Sequence, residues 1–359
     1  MISSINEKIN NWLINTWAPN FFQLGLSRIL FCLGYLVYGL PEFKEIANIP
    51  LVFFDPPLGL SLFLGLITSY DFWWAFDLLV RIFFVCLLVG FRTKLASIMF
   101  SLLLLFGYSY LYSYGKIDHN IFAVIFPLFM AFTNWGGALS IDSLSFNTTE
   151  LKPKGWPLSF FSFLLGWGYF TAGWPKLMGD WLDPSYSITA GYILRKFHSG
   201  QELLYLNELF VQINNLFIYK VLDYSTLIFE LGFILTIFWS ALFLRSIGIA
   251  AMFHLGVLLT LNIAFTTHVL VFLPYIMYFY FSNSSEVSEK YQQIFSKNKN
   301  VFITVFLIFS GFILIDYYPL PFQIHSHIVL FIICTLSMLM LLPKPIHLYF
   351  IKTKIKSSE

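Results

Sequence analysis

The sequence predicts an all-α, polytopic integral membrane protein: a helical bundle with about 8–10 transmembrane helices and both termini in the cytoplasm. The first observation is composition, because 58% of the residues are hydrophobic, 11% are charged and the mean hydropathy is +0.74. Soluble globular domains lie nearer ~45–50% apolar and ~25% charged residues. The second observation is that the apolar residues gather in windows of bilayer length. The third is that the cations fall in alternate connections.

A window of about twenty residues predicts about ten spanning helices along the chain. Segment 51–66 is also apolar, but it carries Asp55-Pro56-Pro57, which favours a re-entrant or interfacial piece. Residues 203–222 mix apolar and polar side chains and predict an interfacial helix. The predicted spanning helices cover residues 21–40, 72–90, 94–114, 120–135, 158–177, 225–244, 246–265, 268–282, 301–316 and 326–343.

The positive-inside rule orients these helices. Lysine and arginine residues fall in every second connection, which places those connections and both termini in the cytoplasm. No cleavable signal peptide is expected, because residues 1–20 lack a long apolar run. Residues 116–119, residues 178–224 and His268 are then external. The cytoplasmic cations are Arg92, Lys94, Lys152, Lys154, Arg245, Lys290, Lys297, Lys299, Lys344, Lys352, Lys354 and Lys356.

Lys176 is the first candidate for chemistry, because it closes an apolar stretch that is long enough to span a bilayer. An ammonium at hydrocarbon depth is costly, and an amine held there can act as a base. Pro175 predicts a kink or an end of the helix, and Asp180 could pair with the lysine if the helix persists. The alternative is a lysine that snorkels to the interface beside Trp174 and Trp181.

Three further ionisable groups lie at or near membrane depth. His119 opens a predicted helix after Asp118, where a histidine is commonly a cap and can also transfer protons. His254 lies mid-span, and Glu230 is a carboxylate well inside a span. Each of these two could serve chemistry or bond a neighbouring helix.

Other functional classes have little support in the residues. The net charge of +2 is spread among loops, so no nucleic-acid partner is expected. Cys32, Cys86 and Cys334 lie singly in predicted spans, without metal-ligand spacing, and are interpreted as core residues. No metal is expected. A transporter is less favoured, because no internal repeat is visible.

Several segments resemble one family. Residues 169–181 read YFTAGWPKLMGDW and are similar to the lysine-bearing segment of vitamin K-dependent gamma-glutamyl carboxylase. Residues 117–120 (IDHN), 134–142 (NWGGALSID) and 245–248 (RSIG), with Phe253 and His254 after them, look like further segments in the same order. The resemblance covers residues 15–282 and defines an HTTM membrane domain. Residues 283–359 then form a cytoplasmic loop, two added helices and a basic tail.

The resemblance implies a chemistry for these residues. Lys176 would be the base that deprotonates a reduced quinone, of the vitamin K hydroquinone or menaquinol type, and His119 would be its proton partner. Glu230, His254, Asp180 and Asp118 would support them. Tyr169, Gly173 and Trp174, in the same motif as Lys176, would bind the quinone.

The chain departs from that family in two ways. Pro175 replaces the first lysine of the family's lysine pair, and the family's large luminal domain is missing, so a propeptide-guided glutamate carboxylase is not expected. A membrane enzyme with a quinone or other lipid ligand, in a bacterial inner membrane, remains the first hypothesis. The second is a non-catalytic membrane partner of a peptide or protein, resembling the sporulation-delaying-peptide maturation factor.

Overall fold

The chain is helical throughout the part that the structure describes. The computed structural model describes residues 2–115, 120–145, 152–199, 206–282, 293–294, 297, 304 and 322–341. Helix accounts for 78% of the structure and these residues contain no strand, which confirms the all-α class. Numbered in chain order, the α-helices are α1 Ile2–Asn15, α2 Phe21–Tyr38, α3 Leu60–Leu64, α4 Tyr70–Val89, α5 Thr93–Leu111, α6 Ile121–Met130, α7 Ile141–Ser145, α8 Trp156–Met178, α9 Ile188–His198, α10 Asn207–Val211, α11 Leu216–Gly232, α12 Ser240–Leu261, α13 Thr266–Leu270, α14 Leu273–Phe281 and α15 Phe322–Met338.

Five helical stretches are long and apolar enough to cross a membrane. They are Phe21–Asn48, Tyr70–Val89, Thr93–Tyr114, Leu216–Phe238 and Ser240–Leu261. Shorter apolar helices occur at Ile121–Met130, Thr266–Phe281 and His327–Leu341. The chain therefore has the helices of a membrane-embedded protein, while the larger number of spans and the cytoplasmic termini stay predictions.

Helix boundaries are close to prediction where local capping fixes them. The Ser69 side chain accepts a hydrogen bond from the backbone N–H of Phe72 at 3.2 Å and begins α4. Gly90 ends it in the left-handed conformation, at φ +71°. The predicted span 72–90 differs from α4 by two residues at its start and one at its end.

Other boundaries differ from prediction. Helix α11 begins at Leu216 rather than 225, because Asn215 caps it by accepting the N–H of Phe217 at 3.0 Å. Residues 216–222, assigned to an interfacial helix, therefore belong to a helical stretch that is long and apolar enough to cross a membrane. Segment 51–66 forms only α3 and a short 3-10 turn at Leu51–Phe53. The predicted span 301–316 lies, apart from Thr304, outside the described residues.

The chain divides into two compact units, which take the names of a charged residue in each. The Arg28 unit contains residues 17–158 and 273–329, and the Lys176 unit contains residues 1–16, 159–272 and 330–359. Both units combine segments that are distant in sequence, and the division at residue 282 stays a prediction.

In the Arg28 unit, the tight turn between α4 and α5 is held by a buried cation and a partly buried carboxylate. Arg28 is fully buried, and its Nη1 donates to the carbonyls of Leu87 and Leu88 at 2.6 and 2.7 Å. Asp142 accepts the backbone N–H groups of Arg92 and Thr93 at 2.8 and 2.7 Å. The cation thus lies at the carbonyl end of one helix and the carboxylate at the amide end of the next, as the helix dipoles favour.

Aromatic rings fill the core of the same unit. Phe31, Phe84 and Phe100 are fully buried, and Phe31 lies 4.8 Å from Phe126 between ring centroids. Tyr35 packs edge-on against Phe100 at 6.0 Å. The high aromatic content therefore packs helices against one another, in addition to any role at the membrane interfaces.

In the Lys176 unit, side chains fasten the shorter elements to the long helices. Trp12 Nε1 donates to the carbonyl of Ile237 at 2.9 Å and so ties α1 to the segment that follows α11. Asn207 Nδ2 bonds the carbonyls of Ile193 and Thr260 at 3.1 and 2.6 Å, which joins α9 and α10 to α12. Helices α8, α11 and α12 carry the polar groups described next.

Loss of the Arg28 side chain should destabilise the fold. We expect Arg28→Met to lower the free energy of unfolding by about 3 kcal/mol, because buried carbonyls at the end of α4 lose their donor. Arg92→Met removes an exposed cation from the same turn and should change the value by no more than about 0.5 kcal/mol. Denaturant unfolding in detergent micelles, followed by circular dichroism, measures both. Equal losses would contradict the assigned role of Arg28.

Candidate functional site

Helix α8 presents Tyr169, Gly173 and Lys176 on one face, because they are four and then three residues apart. The helix does not end at Pro175 but continues to Met178, where Gly179 N–H bonds the carbonyl of Pro175 at 3.0 Å. Proline costs a helix the hydrogen bond of its missing N–H, and one such loss near a terminus is tolerated here. Lys176 therefore projects from the last turn of a continuous helix.

Gly173 permits the close approach of α11 to α8. A Cβ atom at this position would lie 2.9 Å from the Cβ of Glu230 and 3.1 Å from Leu231 Cγ, so any side chain would force the helices apart. Gly173 is buried, as a residue at a helix crossing should be. It therefore acts by leaving space for Glu230.

The close approach brings Lys176 and Glu230 together in an ion pair. Lys176 Nζ donates a hydrogen bond to Glu230 Oε1. The Glu230 side chain is 5% exposed and the Lys176 side chain is 26% exposed, so the carboxylate is buried and the lysine is partly accessible. Glu230 Oε2 is buried without a hydrogen-bond partner among the described residues. The Nζ atom also lies 5.1 Å from the centroid of the Trp181 ring.

Asp180 does not take the place of Glu230. It lies in the exposed 3-10 turn Asp180–Leu182, beyond the end of α8, and its carboxylate interacts with the Tyr186 hydroxyl. The expected pairing of Asp180 with Lys176 depended on helix continuing four residues past the lysine. It stops after two, at Met178.

A second polar cluster centres on Tyr169. Its hydroxyl lies 2.7 Å from His254 Nε2 and 3.0 Å from His268 Nε2, and all three side chains are buried. A hydroxyl has one proton to donate, so with both imidazoles neutral one must accept from Tyr169 and the other must donate to it. The shorter distance suits O–H···N to His254, and the longer one suits N–H···O from His268. The cluster can pass a proton in either direction.

Aromatic rings surround this cluster and shield it from solvent. Tyr169 packs against Phe229 and Phe233, with centroid distances of 5.0 and 4.5 Å. Phe265 lies 4.8 Å from the His254 ring. The charge of Glu230, which follows Phe229 on α11, is close enough to act on the Tyr169 hydroxyl. The ion pair and the Tyr169 cluster are thus neighbours in one apolar environment.

A second lysine and carboxylate pair in this unit has a structural role. Lys220 Nζ lies 3.2 Å from Asp223 Oδ2 and donates to the carbonyl of Trp181 at 2.7 Å. Asp223 Oδ1 also accepts the N–H of Thr189 at 3.0 Å, so the pair holds the connection between α8 and α9 on α11. Asp223 and Glu230 share a face of α11, because they are seven residues apart, but they serve different contacts.

The structure brings together Lys176, Glu230, Gly173, Tyr169 and His254 of the predicted candidates. Trp174 is 46% exposed and packs on Phe170, at 5.7 Å between centroids, rather than joining the cluster. His119 and Asp118 lie outside the described residues.

His268 is the member of the cluster that was not predicted. It was expected only as an external residue at the start of a helix, and it lies instead in the five-residue helix α13, buried against Tyr169. Its signal in the sequence is weak, because its contact with Tyr169 joins residues 99 positions apart. Within the described residues, no three His, Cys, Asp or Glu side chains are placed to hold a metal ion.

No protein-family model matches the chain, and no curated protein or solved structure shows a significant similarity to it. Its chemistry must therefore be argued from these contacts.

The ion pair predicts a thermodynamic coupling between Lys176 and Glu230. We expect Lys176→Met to destabilise the protein by about 2–3 kcal/mol, somewhat less than the ~3–5 kcal/mol of a fully buried pair, because it leaves the carboxylate without its cation. The double variant Lys176→Met/Glu230→Met should recover most of this loss. Denaturant unfolding in detergent at constant pH, applied to the parent protein, the two single variants and the double variant, measures the coupling free energy between the two side chains. Additive losses would show that the two side chains are not coupled.

Proposed function

We propose that this chain is a membrane enzyme in which Lys176 is a base that acts on a lipid-soluble hydroxyl compound of the quinol class. The observation that carries the proposal is the Lys176–Glu230 pair, which has one partly accessible amine and one buried carboxylate oxygen that makes no hydrogen bond to any residue the structure describes. A purely structural ion pair is expected to satisfy its buried oxygens, as Asp223 does in the same unit.

The pair can release a neutral amine without creating net charge. In an apolar environment the ionised and neutral forms of a lysine–carboxylate pair lie closer in free energy than in water, since burying two charges is costly. Transfer of one proton from Lys176 Nζ to Glu230 Oε1 leaves a lone pair on the partly accessible amine. That amine can then accept a proton from a substrate hydroxyl.

The surroundings suit an aromatic hydroxyl compound. Trp181 and the aromatic side chains near α8 offer apolar ring faces, and Glu230 Oε2 can accept a hydrogen bond from a substrate hydroxyl. Removal of a hydroxyl proton makes a quinol easier to oxidise. Lys176 would then hold the substrate proton as an ammonium, while Glu230 would still hold the proton that it took from Lys176. Dioxygen would accept the two electrons and leave as hydrogen peroxide, with the second hydroxyl proton of the quinol and the proton released by Glu230, and this release would restore the ion pair.

Tyr169 and its two histidines supply the onward path for the proton. Tyr169 is seven residues before Lys176 on the same face of α8 and interacts electrostatically with Glu230. A proton that reaches Tyr169 from one imidazole can leave through the other, because its hydroxyl bonds both. His254 and His268 are therefore proposed as proton carriers. The Lys176 segment resembles the lysine-bearing segment of the HTTM carboxylase-like family, and this resemblance implies the same chemistry.

The base role is tested by the fate of a reduced quinone. We expect purified protein in lipid nanodiscs to oxidise added menaquinol with oxygen uptake, and Lys176→Ala and Lys176→Arg to lower the rate by at least about a hundredfold, the lower range of a general base. Arg195→Ala is the control: it removes an exposed cation from α9 in the same unit and should keep the rate. Retained activity in both Lys176 variants would show that the lysine is not the base and only anchors the helix at the membrane interface.

Lipid extraction from the purified protein distinguishes the enzyme from a non-catalytic partner. Mass spectrometry should find quinone in the parent protein and less in Glu230→Ala, because Oε2 would no longer accept its hydroxyl. Finding only bulk phospholipid in both, with no menaquinol oxidation, would favour a membrane partner of a secreted peptide or protein.

The proposed proton path through Tyr169 predicts a separate effect on the rate when its hydroxyl is removed. We expect Tyr169→Phe to slow menaquinol oxidation by about ten- to a hundredfold, because the phenyl ring cannot carry a proton between the imidazoles. Tyr275→Phe is the matched control, since it removes another buried hydroxyl, which donates to the Leu158 carbonyl at 2.8 Å. Equal rates in the two variants, at equal stability, would exclude Tyr169 from the proton path.

A further inference from the structure

A cavity of about 550 Å³ lies in the Arg28 unit, beside the turn between α4 and α5. Its volume falls in the range of small-molecule sites, ~300–1,000 Å³. The Lys176 pair and the Tyr169 cluster belong to the other unit. The cavity is lined by Arg92, Thr93, Lys94, Leu95, Ile98, Ala131, Asn134, Trp135, Gly136, Gly137 and Asp142.

The position of the cavity is fixed by the helices on either side of the turn. Tyr70–Val89 and Thr93–Tyr114 are both long and apolar enough to cross a membrane, and only three residues separate them. The turn that joins two spanning helices must lie at a membrane face. The cavity therefore lies at the depth of the lipid headgroups.

The walls and the mouth of the cavity differ in character. Leu95, Ile98, Ala131 and Trp135 supply an apolar wall, and Trp135 Nε1 is bonded to Ser97 Oγ at 2.9 Å, so its ring face is fixed. Exposed side chains of Arg92 and Lys94 stand at the mouth. The surface is thus apolar inside and cationic at its edge.

Two more cations are held next to this mouth. Asn134 Nδ2 donates to the carbonyl of Lys152 at 2.8 Å, and the N–H of Lys154 bonds the carbonyl of Thr133 at 3.1 Å. Both lysine side chains are exposed. The one carboxylate in the lining, Asp142, already accepts three hydrogen bonds from Arg92 and Thr93, so it helps form the turn and leaves an excess of positive charge.

We propose that this cavity binds an acidic phospholipid, with the phosphate at Arg92 and Lys94 and the glycerol and first acyl carbons against Leu95 and Trp135. Cations in this position attract anionic headgroups, and arginine can bond a phosphate through two parallel N–H groups. The apolar wall would contribute little to binding a free phosphate ion, whereas it suits the lipid part of the molecule.

Native mass spectrometry of the full chain in detergent tests this directly. Phosphatidylglycerol should bind in preference to phosphatidylcholine with the same acyl chains. The double variant Arg92→Gln/Lys94→Gln should lower the affinity for phosphatidylglycerol by about fivefold for each cation removed. Arg245→Gln is the matched control: it removes an exposed cation from the first turns of another spanning helix, outside the cavity lining, and should change nothing.

A second measurement places the lipid and does not depend on those variants folding. Phosphatidylglycerol with brominated acyl chains should quench a tryptophan emission component that is present in the parent protein and missing in Trp135→Phe. Lys152→Gln/Lys154→Gln, which alters only exposed side chains, should reduce that quenching.

Three outcomes would overturn the proposal. Equal binding of phosphatidylglycerol and phosphatidylcholine would show that the negative charge of the headgroup does not contribute to binding. Equal losses in the Arg245 control and in the Arg92/Lys94 variant would make the effect a general one of surface charge. Displacement of the lipid by inorganic phosphate, without quenching of Trp135, would assign the cations to a soluble anion.

Discussion

The structure depends on one constraint: a polar group among apolar helices has no water to bond and must find its partner within the protein. The buried charges of this chain show how that constraint is met. Arg28 bonds the carbonyls that end α4, and Lys220 bonds Asp223 and the Trp181 carbonyl. Because the backbone carbonyls bonded by Arg28 and Lys220 come from distant parts of the chain, these few bonds also decide which helix ends lie together.

Glu230 differs in this respect from Asp223, whose two carboxylate oxygens both accept hydrogen bonds. One oxygen of Glu230 is paired with Lys176 and the other has no hydrogen-bond partner in the described part of the chain, although it is buried. An unsatisfied buried oxygen costs about 1–3 kcal/mol, so its persistence requires a reason. The ligand hydroxyl proposed for this site would supply that partner.

Local rules predicted the elements better than the contacts between them. The bounds of α4 were foreseen closely because Ser69 and Gly90 act within one helical turn. Lys176, Tyr169 and Gly173 were foreseen as candidates, but the partner expected for the lysine was Asp180, close in sequence. The true partner, Glu230, is 54 residues away, and His268 is 99 residues from Tyr169. Such pairings follow from helix packing, which no local pattern encodes.

Gly173 shows how packing and chemistry are joined in this site. Without a side chain at this position, α11 approaches until the Cβ of Glu230 occupies the space that a residue on α8 would fill. That approach sets the reach of the carboxylate to Lys176, one turn further along α8, and it also excludes water from between the helices. A larger residue would therefore weaken the ion pair and hydrate it at once, and both changes would make the neutral amine harder to form. The base proposed for this protein consequently depends on a residue that has no chemistry of its own.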